Sequence, residues 1–64
     1  MKTNLQQQRN KAGLTQQQLA DLAEVSQQTI SKIEAEAKGY SPTMETMVRL
    51  GNALGIPLES LMSK

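Results

Sequence analysis

The stretch TQQQLADLAEVSQQTISKIE, residues 15–34, restricts the fold more tightly than any bulk property of the chain. Thr15 followed by Gln18 is a capping box, and Leu19, Ala20, Leu22 and Ala23 then supply the buried stripe of a helix that lasts only about two turns. Glu24 and Val25 interrupt the pattern, Ser26 caps a new helix, and Ile30, Ile33 and Ala37 fall on one side of it. Helices joined by so short a turn cross steeply, so the first braces and the second projects. That crossing needs apolar residues where the helices touch, a very small one at the closest approach and an apolar one in the turn. Leu19, Ala20, Ala23, Val25, Ile30 and Ile33 meet these demands in a single register.

The flanking sequence supplies more helices and no strand pattern. An opening helix is expected from about Asn4 to Ala12, with Thr3 as its cap, Leu5 and Ala12 on one face and Gly13 as a left-handed stop. Gly39 and the YSP that follows end the third helix. Thr43, behind Pro42, caps a fourth in which Met44, Met47, Leu50, Gly51 and Leu54 recur at helical spacing up to Gly55. Pro57 opens a short fifth helix, apolar at Leu58, Leu61 and Met62. Short helices with tight connections, each giving one stripe to a shared core, predict a compact all-α, five-helix fold with residues 1–64 as a single domain.

Composition narrows the chemistry. With 64 residues, no cysteine and no histidine, the chain has neither disulfides, thiolate zinc sites nor imidazole bases. One aspartate and five scattered glutamates make no catalytic group, so no catalytic residue, metal site or cofactor is expected. The N-terminus MKTNLQQQRNK is polar where a signal peptide is apolar, and no apolar run approaches membrane-spanning length. A cytoplasmic protein with no membrane partner is the expectation. Seven basic against six acidic residues leave a net charge of only +1, so any affinity for nucleic acid has to come from placement.

Placement is informative on the third helix. Turning Ile30 and Ile33 to the core at about 100° per residue points Gln28, Ser31, Lys32 and Ala35 away, with Gln27 on the flank. A merely solvated face usually pairs Glu with Lys four residues apart. This one offers amides, a hydroxyl, a single cation and no carboxylate. Glutamine amides pair with an adenine edge, and lysine donates to guanine O6 and N7. Gln27, Gln28, Ser31 and Lys32 are therefore candidate base-contacting residues. Arg9 and Glu34 fall at the edges of the core faces of their helices, where two half-buried opposite charges require each other.

The segment 16–35 reads as a helix-turn-helix, and GLTQQQLADLAEVSQQTISKIE followed by SPTMETMVRLGNALGIPLESLM resembles the phage repressor and Cro type of regulator, the XRE family. The resemblance covers nearly all of the chain. It implies a lambda-repressor-like DNA-binding domain with the third helix in the major groove of double-stranded DNA, a docking geometry well established for this motif. It implies backbone contacts from Thr15, Gln16, Gln17, Ser26, Lys38 and Tyr40, with Gln16 touching phosphate and supporting Gln27. The family also joins its first and third helices through a contact matching Arg9 and Glu34. Two departures stand out. Glu24 occupies a turn position where the family usually has glycine, and the link AEAKGYS before Pro42 is longer than the usual loop.

Ile56, Leu58, Leu61 and Met62 exceed what a short terminal helix buries in so small a core. With the resemblance, they imply a two-fold homodimer through this end, binding a near-palindromic operator as a repressor. The alternative is a protein-interaction module, such as an antitoxin, in which a toxin or an antirepressor is the principal partner and DNA binding is secondary.

Overall fold

Hydroxyl caps open three of the helices. In the computed structural model, which describes residues 3–62, Thr15 Oγ1 accepts from Gln18 N at 3.0 Å while Gln18 Oε1 accepts from Thr15 N at 2.8 Å. This capping box starts α2 (Gln16–Ala23). Ser26 Oγ accepts from Thr29 N to start α3 (Gln27–Glu34), and Thr43 Oγ1 accepts from Thr46 N to start α4 (Met44–Leu54). The first helix, α1 (Leu5–Lys11), is preceded by Thr3, whose Oγ1 accepts from Leu5 N at 3.3 Å. The last, α5 (Leu58–Met62), follows Pro57. Gly13, as expected, ends α1 in the left-handed conformation at φ 72°, and Gly55 ends α4 in the same way at φ 69°.

Each helix gives at least one buried residue to a common core: Leu5 from α1, Leu19, Ala20 and Ala23 from α2, Ile30 and Ile33 from α3, Met47 and Leu50 from α4, and Leu61 from α5. Fully burying one such leucine or isoleucine contributes about 2 kcal/mol. α2 packs on both α3 and α4, α5 packs on α4, and α1 packs on α3. Ala20 and Ala23 are the small residues of this arrangement, nearly inaccessible at 2% and 4% exposure. Gly51 plays the same part for α5: a Cβ there would meet the carbonyl oxygen of Ile56 at 3.1 Å.

Several sequence expectations require correction. α3 ends at Glu34, so Ala37 lies outside it; the left-handed residue that follows is Glu36 (φ 52°), and Ala37 N turns back to donate to Lys32 O. Ala12 follows the last turn of α1 and is exposed. Leu22 is 60% exposed, because a stripe through Leu19, Ala20 and Ala23 turns it away from the core. Met44, in the first turn of α4, is likewise on the surface.

Candidate nucleic-acid interface

The turn between α2 and α3 consists of Glu24, Val25 and Ser26. Glu24 takes up the left-handed conformation at φ 59°, ψ 41°, and the next amide, Val25 N, donates to Ala20 O at 3.0 Å. Val25 is partly buried against the core. The turn thus locks α3 across α2, with Ile30 and Ile33 inward and Gln27, Gln28, Ser31 and Lys32 exposed. Ala35 caps the helix, also exposed.

The one acidic side chain of α3 is withdrawn from that surface. Glu34 is only 5% exposed in its side chain, and its Oε2 accepts from Arg9 Nε at 2.7 Å. Its Oε1 accepts from Arg9 Nη2 and from Gln16 Nε2, both at 3.0 Å. Arg9 Nη1 donates to the carbonyl oxygen of Leu14 at 2.8 Å. Arginine therefore ties α1, the following turn and α3 together. The hydrogen bond to Glu34, reinforced by that residue's charge and opposed by burial, raises the Arg9 pKa above its ordinary value. The Arg9 and Glu34 charges were expected to be half-buried; they are nearly enclosed.

The glutamines divide by element. On α2, Gln16 donates to Glu34, Gln17 donates to Asp21 and Gln18 completes the capping box. The resemblance implied that Gln16 supports Gln27; in the structure its amide nitrogen donates to Glu34. On α3, Gln27, Gln28 and Ser31 make no side-chain hydrogen bond among the described residues. Their donors and acceptors are free for a ligand.

The remaining site candidates are dispersed around this face. Thr15 and Ser26 use their hydroxyl oxygens as caps, while the first amides of α2 and α3 face the end where an anion is favoured. Lys38 is exposed in the loop after α3, and Tyr40 is partly buried. Lys32 Nζ lies 5.6 Å from the Tyr40 ring centroid. At the opposite terminus, Leu61 is fully buried within its own chain, so it has no surface to offer a second copy. Ile56 and Leu58 are half-buried against the core, and Met62 is 43% exposed.

Sequence reasoning missed the Gln16 bond to Glu34 and the Lys32 contact with Tyr40, since neither has a local signal in the chain. It also missed the ion pairs of Arg49 with Glu24 (3.3 Å) and Glu45 (3.0 Å), of which only the second has the helical i, i+4 spacing.

A helix-turn-helix family model matches residues 5–61, spanning all of α1, α2, α3 and α4 and nearly all of α5. The chain belongs to the helix-turn-helix family. Its five helices form the lambda-repressor-like version of that fold, and it is a DNA-binding transcription regulator of the XRE type. A search among curated proteins finds no match. Among the described residues of this XRE-type regulator, no helix is long and apolar enough to cross a membrane.

Proposed function

We propose that this XRE-type regulator is a repressor that binds a near-palindromic operator as a homodimer, with α3 of each copy in the major groove. The observation that carries the reading is the outward face of α3. Gln27, Gln28 and Ser31 are exposed with no partner of their own among the described residues, and the neighbouring carboxylate, Glu34, is neutralised at the other side of the helix. Gln27 and Gln28 pair with base edges, adenine being the edge that suits a glutamine amide, and Ser31 serves as a further donor or acceptor. Gln16, Gln17, Thr15 and Ser26 bring helix N-termini against phosphates, and Lys38 and Tyr40 add contacts from the loop. Basic residues are few, so one half-site holds weakly and two copies are needed. Repression follows from occupying promoter DNA, in the cytoplasm, without catalysis or cofactor.

Selection of bound duplexes from random DNA tests this. Enrichment of a two-fold repeat supports it, and recovery of no preferred sequence sinks it. A second reading, a module whose main partner is a protein such as a toxin, draws on Leu22, Met44 and Val48, which are apolar and exposed on α2 and α4. Tight binding of such a partner by a protein without DNA preference would favour it.

A further inference from the structure

Lys32 lies in the last turn of α3, and its ammonium nitrogen stands 5.6 Å from the centroid of the Tyr40 ring, within cation–π range. The ring is not carried on a free loop. Tyr40 is half-buried, packs against the core and donates its amide to Ala37 O at 3.2 Å. Among the described residues no carboxylate pairs with Lys32, so its charge remains available. Gln27 and Gln28 occupy the other end of the helix.

That division matters for recognition. A recognition helix reads base edges chiefly through its N-terminal residues, while adjoining segments rest on phosphates. To read guanine, a lysine must reach O6 and N7 on the edge exposed in the groove. Here the ring draws the ammonium to the border between α3 and the loop that carries exposed Lys38. An ammonium resting on a ring face keeps N–H donors on its far side, and holding the flexible stem in place removes part of the entropy cost of a contact.

We infer that Lys32 binds a backbone phosphate rather than a base, and that Tyr40 is the positioning residue that holds its ammonium for that contact. The inference rests on the operator reading above and divides its labour: Gln27, Gln28 and Ser31 choose the sequence, while Lys32 and Lys38 supply charge. The Tyr40 ring, not its hydroxyl, performs the positioning.

Binding of wild type, Lys32→Met, Tyr40→Phe and Tyr40→Leu is measured at several salt concentrations on the selected operator, its single-base variants and a duplex of mixed sequence. Lys32→Met is expected to weaken all these duplexes by a similar factor and to flatten the salt slope by about 0.9 per lost contact. Tyr40→Leu should weaken all of them by about two- to fivefold more than Tyr40→Phe, which loses only the hydroxyl's own contact and should retain the wild-type slope. A Lys32→Met loss confined to operators carrying one particular base pair would overturn the inference, as would an unchanged slope. Proton NMR of the free protein checks the pair without DNA. The Lys32 methylene protons next to Nζ should be shifted upfield by the ring in wild type and Tyr40→Phe, and unshifted signals would again overturn it. Should selection recover no preferred sequence, the operator reading fails alone, because the mixed-sequence duplex and the NMR signals still decide the role of Lys32.

Discussion

Arg9 Nε donates to Glu34 Oε2 at 2.7 Å, joining residues 25 positions apart and fastening α1 to α3. Because the side chains are 11% and 5% exposed, each charge depends on the other for compensation. Arg9→Met leaves the carboxylate with Gln16 alone, and should destabilise the fold by about 2 to 4 kcal/mol. A domain of this size has only about 3 to 10 kcal/mol in total, so much of the stability is at stake. Replacing both, Arg9→Met with Glu34→Leu, should recover most of the loss. Thermal unfolding of the single and double variants checks this. The raised Arg9 pKa adds stability that is full below the ordinary arginine value and is lost only as pH rises through the higher folded value, so Arg9 itself gives no pH dependence near neutrality.

Glu24 holds a left-handed conformation at φ 59° in the turn between α2 and α3. Its side chain reaches Arg49, but the pair is solvent-exposed and contributes little. Glu24→Gly relieves backbone strain worth about 1 kcal/mol and should raise Tm by roughly 4 °C or more. Glu24→Ala loses the same ion pair without that relief, and should leave Tm unchanged or lower. Calorimetry on the two variants separates strain from charge.

The caps explain why so much of the fold was legible from sequence. Thr15, Ser26 and Thr43 act through amides three residues ahead, and Gly13 and Gly55 stop helices by their own backbone freedom, so all five are local decisions. The α3 terminus was misread because Glu36, a residue with no intrinsic preference for left-handed backbone, makes the stop. Leu22 and Leu61 show the limit of periodicity. Leu22 is exposed because the buried stripe of α2 runs through Leu19, Ala20 and Ala23, whereas Leu61 is sealed in the core by the packing of α5 on α4, which the periodicity of its own short helix does not specify. At the site, the outward face of α3 followed from helical phase alone. The Gln16 bond to Glu34 did not, because it needs the position of α2 relative to α3, across 18 residues.

The dimer proposal changes with the burial of Leu61. Met62 is the exposed apolar residue of α5, whereas Leu58 also packs against the core. Met62→Asp should therefore give a monomer that keeps its helical circular dichroism and binds the operator weakly. Leu61→Asp should unfold the chain instead. Sedimentation equilibrium reads the first outcome, and a Met62→Asp variant that stayed dimeric would place the interface elsewhere.

Sequence reading by Gln28 is tested most directly by measuring wild type and Gln28→Ala against every single-base variant of the selected operator. A base-edge contact predicts a loss of about 1 to 3 kcal/mol per half-site on the preferred operator, and a much smaller loss on variants altered at the base pair that Gln28 meets. Equal losses on every sequence would contradict it, showing that Gln28 only holds the protein on DNA and does not read it.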